Sequence, residues 1–156
     1  METAYFAAGC FWGIQQRFSR LNGVTSTRAG YMGGTLEKPD YKAVCSGKSG
    51  HTETVKVIYD EQKIDYLTLI THFFEWHDPT QINRQGPDIG SQYRTAIFPT
   101  TGEQHNLAAA KIIELSGSNH DQIPIATKLE IAEKFWEAED YHQDYLDKQG
   151  RGHSGL

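Results

Sequence analysis

Two cysteines, Cys10 and Cys45, supply the thiols of this sequence. Cys10 follows the apolar run Ala4–Ala8 and Gly9, and apolar residues at three- and four-residue spacing begin directly after it. This order predicts a buried strand, a turn and a helix that starts beside Cys10. Unpaired backbone N–H groups and the positive end of a helix dipole favour a thiolate there. Cys10 is therefore predicted to be a nucleophile, the alternative being a small buried apolar residue.

Glu53 immediately precedes the predicted strand 54–60, and its carboxyl group can act as an acid. A carboxyl group keeps its proton near neutral pH only when burial disfavours its charged form. The pKa of Glu53 is therefore expected to be raised. The alternative is an ordinary surface glutamate at the start of a strand.

Three blocks of residues resemble the signature motifs of the A-type peptide methionine sulfoxide reductases. They occur in the family's order and at family-like separations, and the resemblance extends from about residue 4 to about residue 145. The blocks are Gly9-Cys10-Phe11-Trp12-Gly13; Gly50-His51-Thr52-Glu53; and a long central block made of His77-Asp78-Pro79-Thr80, Asn83-Arg84-Gln85-Gly86, Asp88, Gly90 and Gln92-Tyr93-Arg94.

The resemblance implies reduction of methionine sulfoxide, free or in proteins, and so the repair of oxidised proteins. Cys10 would attack the sulfoxide sulfur and become a sulfenic acid, while Glu53 protonates the oxygen. Tyr41 and Tyr93, at the family's two tyrosine positions, would hydrogen-bond that oxygen, and Asp88 would hold a water near Cys10. The family also implies the S epimer, since separate enzymes reduce the two epimers.

Phe11 and Trp12 follow the nucleophile and are predicted to form the apolar wall that receives the substrate methyl group. Helical spacing leaves a second arrangement open, in which Phe11 is buried under the helix and only Trp12 faces the substrate. For His51 two roles also stay open: ordering the glycine-rich loop or tuning the Glu53 carboxyl.

Regeneration of the thiol is expected to depend on an external reductant. Many family members carry resolving cysteines near the C-terminus, whereas no cysteine follows Cys45 here. Glutathione with a glutaredoxin, or thioredoxin, would then reduce the sulfenic acid of Cys10. Cys45 could substitute as a resolving cysteine only if its loop brought the two Cα atoms within about 7 Å.

Two other classes of function use some of the same residues. A zinc-binding module could be built from Cys10, Cys45, His51 and His77, but their separations do not match the close pairs of structural zinc sites. A thiol peroxidase would use Cys10 with peroxide as its oxidant. We expect a reductase that has no metal and no cofactor.

The pattern of apolar residues predicts an α+β fold with a ferredoxin-like split β-α-β core. The predicted order is β-α-β-β-α-β followed by α-β, with two long loops that carry the candidate site. Predicted strands are 4–8, 24–29, 54–60, 93–98 and 123–131. Predicted helices are 11–21; one capped by Asp65 with Leu67, Ile70 and Phe74 on its apolar side; one from a Thr101–Gln104 capping box to Gly117; and a short segment containing Phe135, Trp136, Tyr141 and Tyr145.

Length and composition fit one catalytic domain over residues 1–156, with a flexible tail from about residue 146. The formal net charge is −5 and the basic residues are scattered, which argues against a nucleic-acid partner. The start of the sequence lacks a basic and apolar leader, and no run reaches the ~20 apolar residues of a membrane span. A cytoplasmic monomer is therefore expected.

Overall fold

The computed structural model describes residues 1–118 and 123–150, without the side chain of Ser118. Its strands are β1 (Glu2–Ala8), β2 (Val24–Met32), β3 (Thr52–Tyr59), β4 (Arg84–Gln85), β5 (Asp88–Ile89), β6 (Thr95–Phe98), β7 (Lys128–Leu129) and β8 (Trp136–Glu137). Its α-helices are α1 (Phe11–Ser19), α2 (Tyr41–Cys45), α3 (Tyr66–Glu75), α4 (Gly102–Ser118) and α5 (Tyr145–Lys148). Two 3₁₀ turns span Ser91–Tyr93 and Asp140–His142.

A six-stranded sheet in the order β7-β6-β1-β3-β2-β8 forms the centre of the fold. Its four middle strands pair antiparallel, and α1 connects β1 to β2 while β3 lies between them. This is the split β-α-β arrangement of the predicted α+β fold. β6 and β7 pair parallel, whereas β4 and β5 form a separate hairpin within the central loop.

Aromatic side chains join the two crossover helices to one face of the sheet. The ring of Phe6 on β1 lies 4.9 Å from that of Phe18 on α1 and 5.4 Å from that of Phe73 on α3. These rings are fully buried, and burial of such side chains contributes about 1.5–3 kcal/mol each. The core therefore fixes α1, and with it the position of Cys10, against the sheet.

The apolar stripe of α3 differs from the predicted one. Ile70 and Phe74 are buried as expected, but Leu67 is 45% exposed, and Leu69 and Phe73 take the buried positions. A helix rich in apolar residues can bury any of several faces. Packing against the sheet decides how the helix is rotated about its axis and therefore which face is buried.

The C-terminal third of the chain also departs from its prediction. The expected strand 123–131 is reduced to β7, and Ile123 and Ile131 are 49% and 78% exposed. Trp136, predicted to be helical, pairs in β8 with Tyr31 of β2. Alternation cannot reveal whether a partner strand lies alongside, because that partner is distant in sequence.

The expected flexible tail begins in a helix. Asp147 of α5 accepts hydrogen bonds from Gln16 at 2.9 Å and Arg20 at 2.8 Å. Residues 151–156 of the expected tail lie outside the described residues. Within the described ranges, no helix has both the length and the apolar composition of a membrane span.

Buried His77 is expected to make the fold acid-sensitive. Its Nδ1 lies 2.6 Å from the carbonyl oxygen of Phe73 and its Nε2 2.8 Å from the Thr95 hydroxyl. Burial lowers its pKa from 6.5 to about 4. Between those values the unfolded chain binds the additional proton, so the free energy of unfolding should fall with decreasing pH by up to about 1.4 kcal/mol per unit.

Urea unfolding midpoints between pH 7.5 and 4.5 test this expectation. His77→Gln, which cannot titrate, should show a flatter dependence on pH than the wild-type protein. His105→Gln, a change at an exposed histidine, is the matched control and should keep the wild-type slope. Parallel profiles for wild type and His77→Gln would exclude His77 as the cause.

Candidate active site

Cys10 occupies the N-cap position of α1, as its place in the sequence predicted. Gly9 before it has φ = 86°, a left-handed conformation that favours glycine. A Cβ at Gly9 would lie 2.8 Å from Cβ of Gln85 in the central loop. This close approach brings the central loop against the turn that carries the thiol.

The Cys10 thiol is protonated in the free protein, contrary to the prediction of a stabilised thiolate. Burial, followed by the nearby charge of Glu53, raises its pKa to about 12. The backbone N–H groups of Trp12 and Gly13 act in the opposite direction but are outweighed. The start of the helix therefore lowers the pKa of Cys10 as expected, but burial raises that pKa by more.

Glu53 lies inside β3 with 1% of its surface exposed, and it points to the first turn of α1. Its Oε1 accepts a hydrogen bond of 3.1 Å from the backbone N–H of Phe11, the residue after Cys10. Burial raises its pKa to about 8, although the Phe11 N–H lowers it. The predicted direction of the shift is confirmed, and at pH 7 the carboxyl group holds its proton beside the Cys10 thiol.

Tyr41 and Tyr93 approach this carboxyl group from two different segments. Tyr41 is the first residue of α2 and Tyr93 ends the first 3₁₀ turn. Burial, and then the neighbouring side chains of Cys45 and Tyr93, raise the pKa of Tyr41 above its usual value. Burial and then the charge of Glu53 raise the pKa of Tyr93 to about 12. Both hydroxyls are therefore neutral groups able to donate a hydrogen bond near the acid.

Asp88 lies on β5 at the same site and is half-buried. Its negative charge raises the pKa of Cys10, of Glu53 and of Tyr93. The carboxylate of Asp88 thus raises the pKa of the candidate nucleophile, of the candidate acid and of one hydroxyl donor. The structure brings Cys10, Glu53, Tyr41, Tyr93 and Asp88 together.

Of the two aromatic residues after Cys10, Trp12 is the accessible one. Phe11 is 1% exposed and its ring packs in the core against Tyr31 at 5.8 Å. Trp12 is half-buried, stacks on Tyr145 with ring centroids 3.9 Å apart, and donates from Nε1 to Nδ1 of His142 at 3.0 Å. The structure thus has the second of the two arrangements that helical spacing left open.

His51 orders the first part of the glycine-rich loop between β2 and β3, at residues 34–36. Its Nδ1 accepts a hydrogen bond of 3.1 Å from the N–H of Gly34, and its Nε2 lies 2.7 Å from the carbonyl oxygen of Leu36. The loop can approach this closely because residue 34 is glycine: a Cβ there would collide with the backbone N of His51. Of its two proposed roles, loop ordering is the one that these contacts support.

The zinc-binding alternative finds no support in the geometry. Both ring nitrogens of His51 and of His77 already have hydrogen-bond partners in the protein. Across residues 1–118 and 123–150, no group of three or more His, Cys, Asp and Glu side chains is arranged to hold a metal ion.

Sequence reasoning missed the C-terminal residues that border the site. Gln143 docks this segment on β2, because its amide both accepts from the N–H of Ala29 and donates to the carbonyl of Ala29, each at 2.8 Å. The docked segment places Glu139 and His142 beside Tyr41 and Trp12. Polar residues lie between the aromatic residues of 136–145 and could have indicated these contacts. The sequence-based prediction for this segment used only its aromatic residues.

Comparison with known proteins gives consistent matches over the whole chain. A family profile described as "Peptide methionine sulfoxide reductase" matches residues 2–155. A peptide methionine sulfoxide reductase MsrA of Methanoculleus marisnigri is 49% identical over 152 residues, which cover 97% of this chain and 93% of the relative.

Solved structures give the same result at lower sequence identity. Mxr1 of Saccharomyces cerevisiae in its reduced form superposes with a TM-score of 0.89 at 34% identity, covering 97% of this chain and 87% of that one. Methionine sulfoxide reductase A of Corynebacterium diphtheriae superposes with a TM-score of 0.85 at 34% identity, with 97% and 76% of the two chains covered.

Proposed function

The chain belongs to the peptide methionine sulfoxide reductase family and is a thiol-dependent enzyme that reduces methionine sulfoxide, and we propose that Cys10 is its nucleophile and Glu53 its acid. The observation that carries this proposal is the hydrogen bond from the Phe11 N–H to Glu53. It holds a carboxyl group whose pKa is about 8 beside the candidate nucleophile. A thiol and a protonated carboxyl group side by side are what removal of a sulfoxide oxygen requires.

The reaction transfers one oxygen atom from substrate to enzyme. Sγ of Cys10 bonds to the sulfoxide sulfur while Glu53 gives its proton to the sulfoxide oxygen. The bond between the substrate sulfur and that oxygen then breaks as the oxygen bonds to Sγ, and the sulfur–sulfur bond breaks with its electron pair returning to the substrate sulfur. Methionine leaves with its sulfur reduced by two electrons, and the oxygen stays as the hydroxyl of a Cys10 sulfenic acid. The proton released by the thiol restores Glu53, so atoms and electrons balance.

Because the Cys10 thiol is protonated in the free enzyme, its proton must leave as the sulfur–sulfur bond forms. Glu53 delivers its proton to the sulfoxide oxygen as negative charge develops there. Tyr41 and Tyr93 would donate hydrogen bonds to that oxygen, which would lower the energy of the charged state. Asp88 would hold a water molecule at the same site.

Recognition of the substrate methyl group would fall mainly to Trp12. Its indole is fixed on one side by Tyr145 and at Nε1 by His142. A fixed aromatic face contacts a methyl group and a sulfur atom favourably, whereas it offers little to a solvated polar group. Phe11 would support this wall from the core.

Stoichiometric reduction of each methionine sulfoxide epimer by the reduced protein, without added thiol, tests the proposed function. We expect close to one equivalent of methionine per Cys10 from the S epimer and none from the R epimer. Absence of methionine from both epimers would reject the function. Turnover of hydrogen peroxide in place of sulfoxide would favour the thiol peroxidase instead.

We also propose that an external thiol regenerates Cys10, through glutathione with a glutaredoxin or through thioredoxin. Both cysteines are free thiols in the structure. The sulfenic acid formed on Cys10 would then be reduced by exchange with a thiol from solution.

Mass spectrometry after one turnover without added thiol should therefore show an added oxygen on Cys10. Cys45→Ser should still turn over with a monothiol donor such as glutathione, because the mixed disulfide forms at Cys10. A disulfide between Cys10 and Cys45 that forms at the rate of catalysis, with loss of turnover in Cys45→Ser, would contradict this prediction.

The cytoplasm, where thiols are kept reduced, is the compartment that this chemistry favours. We propose that the enzyme acts there as a monomer. Light scattering at working concentration tests the oligomeric state.

A further inference from the structure

Glu139, in the segment between β8 and the second 3₁₀ turn, connects two parts of the site through one carboxylate. Its Oε1 accepts a hydrogen bond of 2.8 Å from the Tyr31 hydroxyl, and its Oε2 accepts one of 3.0 Å from the backbone N–H of Tyr41. Burial acts to raise the pKa of Glu139, but these hydrogen bonds outweigh it and hold that pKa below its usual value. The carboxylate is therefore charged while it bridges the two residues.

The Tyr41 end of this bridge fixes a short helix. α2 has five residues and follows a largely exposed stretch, 35–40, so its own hydrogen bonds do little to fix its position. The side chain of Asp40 accepts from Ala43, whereas the N–H of Tyr41 is directed to Glu139. Because Tyr41 is the first residue of α2, this hydrogen bond fixes the backbone position from which the Tyr41 side chain extends.

The Tyr31 end is anchored in the sheet beside the acid. Tyr31 is fully buried and pairs with Glu53 in the register of β2 and β3, so their side chains are neighbours on one face. Burial, together with the charged Glu139, raises the pKa of Tyr31 and keeps its hydroxyl a donor. The bridge thus runs from the sheet position next to Glu53 to the helix that carries Tyr41.

We propose that Glu139 is a positioning residue that holds the Tyr41 hydroxyl where the sulfoxide oxygen develops charge. The inference rests on the proposed function, because it assigns Tyr41 a role in that reaction. Glu139 would act through these two residues, since its two oxygens accept hydrogen bonds from Tyr31 and Tyr41. Loss of one bond would let α2 shift, and a shift of about 1 Å at a reacting group slows an enzyme by up to about 10²-fold.

Glu139→Gln tests the inference, because the amide keeps one oxygen acceptor and replaces the other with a donor. We expect the single-turnover rate to fall by about 10-fold or more, with substrate affinity changed little. Glu137→Gln is the matched control, since Glu137 pairs with Arg28 at an exposed position two residues earlier. It should keep the wild-type rate.

A double-mutant cycle with Tyr41→Phe distinguishes positioning from a general structural effect. If Glu139 acts through the Tyr41 hydroxyl, Tyr41→Phe should slow the wild type strongly but Glu139→Gln by no more than about twofold. If the glutamine variant does not fold, the same cycle is run on Glu139→Asp. Aspartate keeps the charge but has a shorter side chain. Tyr31→Phe, which leaves the bond to Tyr41, should slow the reaction less than Glu139→Gln does.

A wild-type rate in Glu139→Gln, or an equal loss from Tyr41→Phe in both backgrounds, would overturn the inference. Either result would leave the proposed function standing, provided that the wild-type protein reduces the sulfoxide. Failure of the wild-type protein to form methionine would reject the proposed function instead. The two failures are therefore separated by the activity of the wild-type protein alone.

Discussion

Replacing Cys10 by serine should abolish reduction of methionine sulfoxide and leave the fold intact. A hydroxyl group ionises far less readily than a thiol and bonds weakly to a sulfoxide sulfur, so no oxygen transfer should be detectable. The fold should survive because Cys10 has the N-cap position of α1, where serine is a favoured residue. The change from sulfur to oxygen therefore removes chemistry rather than a structural contact.

Single-turnover formation of methionine, with the thermal midpoint as a check on folding, measures this effect. Cys45→Ser is the matched control, because it removes the second thiol of the sequence and retains the proposed nucleophile. We expect one equivalent of methionine from the control and none from Cys10→Ser. Methionine formed by the folded Cys10→Ser protein would end the proposed mechanism.

Replacing Glu53 by glutamine should slow the chemical step by about 10²–10⁴-fold. The amide fills the same space and its oxygen can still accept from the Phe11 N–H, which lies 3.1 Å from Glu53 in the structure. It has no acidic proton to deliver to the sulfoxide oxygen. Glu61→Gln, at an exposed carboxylate that pairs with the N-terminal amine, is the control and should leave the rate unchanged.

The dependence of the rate on pH gives a second measurement of the same group. Since burial raises the pKa of Glu53 to about 8, the acid form dominates below that pH and is lost above it. The single-turnover rate of the wild-type protein should therefore fall above about pH 8, up to tenfold per pH unit. Glu53→Gln should lack this limb, and a wild-type limb retained in that variant would remove Glu53 from the role of acid.

Local sequence pattern was enough to predict the elements that carry the nucleophile. An apolar run, a glycine and an amphipathic stripe predicted the junction at Cys10, and the structure has β1 and α1 there. Alternation and capping residues likewise predicted the four middle strands and the two crossover helices, because each signal lies within a few neighbouring residues. The direction of the pKa shift at Glu53 followed from one assumption, that the residue is buried.

The protonation state of Cys10 could not be predicted from local sequence pattern. A helix start lowers the pKa of a thiol and is visible in sequence, whereas burial and a carboxylate from β3 raise it and depend on the whole fold. The two effects oppose each other, and the long-range one is larger here. The same limit applied to Phe11 and Trp12, where adjacent aromatic residues differ only in which one the sheet covers.

The sequence by itself predicted the class of reaction, the identities and spacing of the candidate reacting groups, and the split β-α-β core of the sheet. The tertiary structure decided which groups surround them: His51 in the glycine-rich loop, His142 on Trp12, and Glu139 between Tyr31 and Tyr41. Glu139 lies 98 residues from Tyr41 along the chain. No local pattern encodes a contact over that distance, because it forms only when the C-terminal segment docks on β2 through Gln143.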